Sequence, residues 1–119
     1  MPHKTDAIRL RHMLDAAREA VEFTQGQTWD DFQQNRLVQR GVLYAIAVIG
    51  EAGANITAEY RAGHPEVPWR EIIGMRNRLV HAYFDINVAL IWKTVQEVIP
   101  PFITTLERLV EEEEHGKQH

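Results

Sequence analysis

Apolar residues recur at intervals of three and four along nearly the whole chain, and no segment alternates apolar and polar residues for long. This spacing predicts an all-α protein. Asp6 is expected to cap a first helix that ends at Gln25-Gly26, and Thr28 to start a short second helix from Trp29 to Gln34. The residues of the first helix expected to face the core are Ile8, Leu10, Leu14, Ala17 and Val21.

The middle of the chain predicts one long helix from about Asn35 to Ala62, closed by Gly63-His64-Pro65. Its expected core stripe is Val42, Ile46, Ile49, Gly53, Ile56 and Tyr60. Pro68 is suited to the first turn of a fourth helix. Asp85 or Asn87 is expected to cap a fifth helix that continues to about Glu113. Pro100-Pro101 should kink that helix, because proline has no backbone N–H.

Length and composition predict a single domain covering residues 1–119, with a polar, frayed tail from about residue 111. The absence of cysteine excludes disulfides, thiolate zinc sites and cysteine nucleophiles. The N-terminus lacks the apolar core of a signal peptide, and the longest apolar run, Val42 to Gly50, is too short to span a bilayer. We therefore expect a soluble, cytoplasmic protein with no membrane association.

Charge is distributed unevenly. The net charge is −4, which argues against a nonspecific nucleic-acid coat. From Tyr60 to Tyr83, however, four arginines face two acids, giving +2, whereas Glu107 to His119 holds five acids against one arginine and one lysine, giving −3. A local basic segment in an acidic protein favours a small phosphate-handling site over a long nucleic-acid groove, unless two copies pool their basic patches.

The segment Arg76-Asn77-Arg78-Leu79-Val80-His81-Ala82-Tyr83 holds the groups that bind a phosphodiester, move its protons and stabilise developing charge. On a regular helix Gly74, Asn77, Arg78 and His81 would share a face, with Arg76 about 140° from His81. Either the helix is distorted or ends early, or Arg76 works with a histidine of another subunit. His81 is expected in the last helical turn, where the helix dipole favours imidazolium. The alternative is a surface Arg/His cluster on an amphipathic helix.

Arg76-Asn77-x-x-x-His81-x-Tyr83 resembles the Arg-x4-His-x-Tyr signature of HepT-like proteins, the toxin branch of the HEPN superfamily. The resemblance covers nearly the whole chain, with similar segments at Ile49 to Ala52, Pro68 to Met75 and Ile91 to Pro101. It implies an up-and-down antiparallel helical bundle with a kinked C-terminal helix. It also implies a homodimer in which the Arg and His of both subunits gather at one cleft.

The resemblance further implies a metal-independent endoribonuclease, and no acid and histidine cluster stands at metal-ligand spacing. One His81 would accept the proton of a ribose 2′-hydroxyl and the other would protonate the leaving 5′-oxygen, while Arg76 holds the phosphate. No cofactor is expected. The implied partner is a minimal nucleotidyltransferase antitoxin, which would transfer AMP from ATP to Tyr83. The alternatives are a catalytically inactive helical dimerisation module that binds this partner, and a Tyr83 that serves only as a packing aromatic.

The other candidates have two interpretations each. Glu51 and Asn55, with Arg40 further back near the same face, could line the cleft or form a solvated helix face. Arg78 could contact RNA phosphate or be an ordinary exposed arginine. The three tryptophans, Trp29, Trp69 and Trp92, are expected as core or dimer-interface anchors.

Overall fold

The computed structural model describes the backbone of residues 2–82 and 85–115 and the side chains of residues 5–80 and 85–115. Three long helices, α1 (Pro2–Thr24), α3 (Arg36–Ala54) and α8 (Ile99–His115), form the body of the bundle, and α1 packs against both others. This confirms the prediction of an all-α, up-and-down bundle. The buried side chains that the three helices share include Leu10, Met13, Leu14, Ala17, Val42, Ile46, Ile49, Leu106 and Leu109.

The start of α1 differs from the prediction. The helix is already formed at Pro2, so Asp6 lies inside it and does not cap it. The carboxylate of Asp6 is fully buried and accepts hydrogen bonds from the backbone N–H of Thr57 at 2.9 Å and from its hydroxyl at 2.7 Å. Ile8, predicted in the core, is 47% exposed. Asp6 thus faces the interior of the protein because Thr57 is placed there to hydrogen-bond with its carboxylate.

Two short helices begin at threonine caps. Helix α2 (Trp29–Gln34) has the predicted bounds, and Thr28 and Asp31 cap each other reciprocally, with N–H to oxygen distances of 3.1 and 3.0 Å. Helix α4 (Ala58–Gly63) begins at Thr57, whose hydroxyl accepts the N–H of Tyr60 at 3.1 Å. Tyr60 stands where a capping box needs an acid, and Asp6 supplies that carboxylate from α1.

The predicted continuous helix from Asn35 to Ala62 is therefore wrong, because the chain breaks between α3 and α4. Asn55 ends α3, and its side-chain amide donates to the carbonyl of Glu51 at 2.9 Å. Asparagine and threonine side chains compete with the backbone for such bonds, which favours a helix end here. Ile56 and Tyr60 are buried as predicted, although they lie beyond the break.

The predicted fourth helix is divided in two. Helix α5 (Trp69–Ile73) and helix α6 (Met75–Leu79) meet at Gly74, and Pro68 occupies the cap position one residue before α5. The carboxyl end of α5 lies against α3 at Gly50, where an added Cβ would stand 3.0 Å from the carbonyl oxygen of Ile73. Glycine at position 50 permits this approach and fixes how closely α5 and α6 lie on α3.

Helix α6 ends before His81. Its last carbonyl, that of Leu79, accepts the N–H of Asn87 at 2.8 Å, so the chain turns into an antiparallel ribbon of β1 (Val80–Ala82) and β2 (Asp85–Ile86). The prediction that His81 lies in the last helical turn is therefore wrong. Val80 pairs with Ile86 and Ala82 with Asp85, so the backbone of His81 is the extra residue of a β-bulge.

Asn87 caps α7 (Val88–Lys93), as one of the two predicted alternatives had it. A π-helical segment, Thr94–Val98, then leads into α8, whose first turn holds Pro100 and Pro101. Because the two prolines have no N–H to donate to the carbonyls of residues 96 and 97, the regular helical hydrogen bonds are interrupted at the place where a kink was predicted. Residues 111–115 continue α8, and the frayed tail predicted from about residue 111 stays a prediction; residues 116–119 lie outside the described residues.

Helix α3 is long and apolar enough to cross a membrane by length and composition alone. Core packing accounts for this composition, since α3 contacts α1, α5, α6 and α7. The tryptophans pack in or against the core. Trp69 is buried, and Trp92 is partly buried, with its ring tilted against those of Phe32 and Trp29 at centroid distances of 5.0 and 6.1 Å.

Candidate active site

A groove lies between α3 and the junction of α5 with α6. It has a volume of about 370 Å³, and we call it the Arg76 groove; its lining residues are Ala47, Gly50, Glu51, Ala54, Ile73, Arg76 and Asn77. The α3 side of the groove has small residues at three of its four positions, which leaves space above the helix. The polar groups therefore stand around a shallow, mostly apolar floor.

Arg76 and Glu51 give the groove one cation and one anion. Both side chains are exposed, and neither makes a hydrogen bond or ion pair with any residue of the described part of the chain. The guanidinium of Arg76 is therefore free to bind an anion, and Glu51, with the amide of Asn77, can take part in orienting it. Glu51 thus lines the groove and is exposed to solvent, so its two interpretations, a cleft residue and a solvated helix face, both stay predictions.

The face of a regular helix does not form here, because α6 ends early, as one of the predicted alternatives had it. A regular helix would have placed Arg78 with Asn77 and His81 and set Arg76 apart, whereas the structure puts Arg76 and Asn77 in the same groove. The reason is that α6 is a single turn, begun anew at Gly74 and ended at Leu79. Arg78 donates from Nη2 to the carbonyl of Glu71 at 2.9 Å, so it caps the end of α5.

The remaining predicted site residues lie apart from the groove or outside the description. Arg40 is exposed on α3, three turns before Glu51, and is absent from the groove lining among the described side chains. The side chain of His81 lies outside the described residues, although its backbone follows α6 directly and forms the bulge. Tyr83 lies outside the described residues entirely. The roles of His81 and Tyr83 stay predictions.

Two grooves that the sequence did not predict adjoin the Arg76 groove. The first, of about 530 Å³, shares Ile73 with it and is lined by Ala58, Arg61, Ala62, Trp69, Arg70, Ile73 and Gly74. The second, of about 230 Å³, shares Glu51 and is lined by Arg9, His12, Val48, Glu51, Ala52 and Asn55. The basic segment from Tyr60 was visible in the sequence, and so was the i,i+3 spacing of Arg9 and His12, but their nearness to Arg76 depends on tertiary packing.

Within the side chains at 5–80 and 85–115, no group of three or more histidine, aspartate and glutamate side chains is placed to hold a metal ion. The site as described is therefore built from arginine, amide and a single carboxylate. The N–H groups of the arginine and the amide can donate hydrogen bonds to an anion, and phosphate is an anion that arginine commonly binds.

Comparison with known proteins assigns the class. Residues 13–109 match the family described as "Ribonuclease HepT-like", so this chain belongs to the HepT-like family. It is 40% identical to the "Probable ribonuclease HepT" of Thermococcus cleftensis over 84% of this chain and 91% of the relative. It is 38% identical to "Putative RNase MJ1380" of Methanocaldococcus jannaschii, over 76% and 84% of the two chains.

A bacterial relative is matched over nearly its full length. "Putative RNase TTE0752" of Caldanaerobacter subterraneus subsp. tengcongensis is 34% identical over 92% of this chain and 98% of its own. No solved structure matched the chain. The family match, over residues 13–109, includes the motif at residues 76–83 and most of the helical body.

Proposed function

We propose that this chain is the toxin of a toxin–antitoxin pair and cleaves RNA as a metal-independent endoribonuclease in the cytoplasm. The observation that carries the proposal is the Arg76 groove, which Arg76, Asn77 and Glu51 line together and where the Arg76 side chain has no partner among the described residues. The bulge that holds the backbone of His81 follows α6 directly. Membership of the HepT-like family, with relatives named ribonucleases, supports the same activity. β-Bulges are often found next to active sites, where they redirect a side chain.

The proposed reaction has a single chemical step. The ribose 2′-oxygen attacks phosphorus and the bond from phosphorus to the 5′-oxygen breaks. One His81 accepts the 2′-hydroxyl proton, and the His81 of a second copy protonates the departing 5′-oxygen. Arg76 binds the nonbridging oxygens and offsets the charge of the five-coordinate transition state. The products are a 2′,3′-cyclic phosphate and a 5′-hydroxyl.

Two copies are proposed to share the site. On α3, Leu37 is 83% exposed and Tyr44 is 68% exposed, one above the other at a spacing of seven residues. The same face carries Arg40 between them and continues through Ala47 to Glu51, so a partly apolar stripe leads into the Arg76 groove. A second copy of the chain that covered this stripe would remove it from water and place the two grooves side by side.

Control of the toxin is proposed to act through Tyr83. In this step the phenolic oxygen of Tyr83 attacks the α-phosphorus of ATP in the partner nucleotidyltransferase, the bond to the β-phosphate bridge breaks and pyrophosphate leaves. The phenolic proton passes to solvent. AMP on Tyr83 would add a bulky anion two residues from His81, where it competes with RNA phosphate for the arginine.

The test of cleavage uses purified protein and RNA in EDTA. Wild type should cleave, the His81→Ala variant should not, and the His115→Ala variant, which changes an exposed histidine of α8, should cleave like wild type. A 2′-deoxy substitution at the cleaved nucleotide should block the reaction, because it removes the attacking oxygen. Intact RNA with wild-type protein would favour the inactive binding module instead.

Mixed dimers test whether the site is shared. A heterodimer of wild-type and His81→Ala subunits should lose nearly all activity, because one histidine acts as base and the other as acid. Half of the wild-type activity would mean that each subunit works alone. For Tyr83, incubation with the partner and ATP should add mass in multiples of AMP, and the Tyr83→Phe variant should add none.

A further inference from the structure

The larger groove beside the site contains two arginines that no cleavage step uses. It is formed by α4, α5 and Gly74, and we call it the Arg61–Arg70 groove. Its floor is apolar, with Ala58, Ala62 and Ile73, and Arg61 and Arg70 add the positive charge. Neither arginine side chain makes a hydrogen bond or ion pair with another residue in the described part of the chain.

Arg61 has a donor that needs an acceptor. Its Nε atom is buried and has no hydrogen-bond partner among the described residues. A buried N–H without a partner costs roughly 1 to 3 kcal/mol, so such groups in folded proteins usually bind a water or a ligand. Arginine Nε and Nη groups together suit two oxygens of one phosphate. The groove is therefore lined by an arginine whose Nε has no partner among the described residues, next to apolar side chains.

The position of the groove connects it to cleavage. Ile73 lines both the Arg61–Arg70 groove and the Arg76 groove, and Gly74 lines the first while Arg76 lines the second two residues later. A strand of RNA whose scissile phosphate lies at Arg76 would therefore enter the Arg61–Arg70 groove with a neighbouring nucleotide. Among the described side chains no acidic one lines this groove, so a phosphate there meets no negative charge from them.

We propose that the Arg61–Arg70 groove is a subsite for a nucleotide that flanks the cleavage point, with its phosphate on Arg61 and Arg70 and its base on the apolar floor. This inference rests on the proposed ribonuclease function and deepens it. Arg61 and Arg70 contribute binding of the substrate and no part of the proton transfer. Single-stranded RNA is the ligand, because the base must be unpaired to reach the floor.

The test measures binding separately from cleavage. A fluorescent single-stranded RNA of about ten nucleotides, within the range of common site sizes, is titrated by anisotropy into protein carrying His81→Ala, which cannot cleave it. Adding Arg61→Gln and Arg70→Gln should weaken binding about tenfold or more. The salt dependence of binding should also weaken: the slope of the log binding constant against the log salt concentration should become shallower by about 0.7 for each lost phosphate contact.

The control is Arg11→Gln together with Arg18→Gln in the same His81→Ala background. Both arginines lie on α1, paired with Glu114 at 2.8 Å and Glu107 at 2.9 Å, so the control removes the same two positive charges from side chains that do not line the groove. It should leave affinity and salt slope near those of the His81→Ala protein. A second readout uses cleavage-competent protein: the Arg61→Gln, Arg70→Gln variant should cleave a dinucleotide at the wild-type rate and lose kcat/KM on the longer RNA.

Each other outcome overturns the subsite. If the double variant binds RNA as well as the control, while Arg76→Gln in the same background weakens binding, the subsite is wrong and the proposed function stands. If the His81→Ala protein binds no RNA and wild type cleaves none, both are wrong. If the double variant binds RNA normally but no longer binds the nucleotidyltransferase, the groove is a docking surface for that partner. Circular dichroism melts confirm that the variants are folded.

Discussion

The arginines on two sides of this molecule have opposite surroundings. Along the α1–α8 seam, Arg11 binds Glu114 at 2.8 Å and Arg18 binds Glu107 at 2.9 Å, so each cation is matched by an acid from the facing helix. In the two grooves at α4 to α6, Arg61, Arg70 and Arg76 line cavities and have no ion pair with any described residue.

The difference separates the groups that hold the fold from those that are available to a ligand. The seam lies between two long helices that bury a shared core, and its exposed ion pairs add little to that burial. The grooves lie on short helices that Gly74 and the break after Asn55 interrupt. Each interruption redirects the chain, and the surface this creates holds arginines that have no ion pair among the described residues. In an acidic protein, such a surface is suited to an anion.

The largest expected effect is on the stability of the helical body. Ile46 is fully buried in α3, and Ile46→Ala should lower the free energy of unfolding by about 2 to 5 kcal/mol through lost burial and a cavity. Ile8→Ala changes the same residue type on α1, where the side chain is 47% exposed, and should change stability by less than about 1 kcal/mol. Urea denaturation measures both. Equal losses would mean that the body is not the stabilising region.

At the Arg76 groove we expect a large loss of activity with little loss of stability. Arg76→Gln should lower the RNA cleavage rate by about 100- to 1,000-fold, the usual effect of removing one donor to a developing negative charge. Because the Arg76 side chain is exposed and unpaired among the described residues, its substitution should change the free energy of unfolding by less than about 0.5 kcal/mol. Cleavage assays and urea melts on the same preparation give both values. A variant that loses stability along with activity would remove the distinction between the two regions.

A smaller effect is expected where the two regions are joined. Asp6 of α1 accepts two hydrogen bonds from Thr57 at the start of α4, so Asp6→Ala should lower the free energy of unfolding by about 1 to 3 kcal/mol. Hydrogen exchange of the Thr57 and Tyr60 amides should also quicken, because the cap of α4 loosens. Asp15→Ala, at an exposed position of α1, is the control and should leave exchange unchanged. Unchanged exchange in Asp6→Ala would show that α4 is held by other contacts.

The sequence predicted the regular parts of the fold better than the site. Helix α2 was predicted with its bounds, because Thr28 and Asp31 are near each other in the chain and form a local capping box. The start of α4 was missed because its box takes the acid from Asp6, 51 residues away. Periodicity still identified Ile56 and Tyr60 as buried, since a short break in the helix did not move them off the core side.

The candidate site depends on bonds between distant residues, which periodicity cannot show. The early end of α6 results from the bond between Leu79 and Asn87, and the placement of Arg76 depends on Gly50, which lets α5 approach α3. The motif identified Arg76 and His81 through their residue types and spacing. The grouping of Arg76 with Glu51, and of Arg61 with Arg70, became visible only once α3, α4 and α5 were packed together.

The smallest effect is expected at an ion pair between α8 and the loop before α5, where Arg108 binds Glu66 at 3.1 Å. The pKa of Glu66 is lowered by a hydrogen bond that its carboxylate accepts from its own backbone N–H and by one that it accepts from Arg108. A carboxylate whose pKa is lower in the folded state stabilises the fold above its unfolded pKa, and this contribution is lost as the pH falls through the folded pKa. Glu66→Gln should therefore lower Tm by a few degrees at most at neutral pH, and the difference from wild type should vanish in acid below the folded pKa.

Glu19→Gln, at an exposed position of α1 with no partner among the described residues, should show no pH-dependent difference. A Glu66→Gln deficit that persisted unchanged in acid would mean that the side chain acts through packing and not through its charge, and that the two regions are joined here by contact alone.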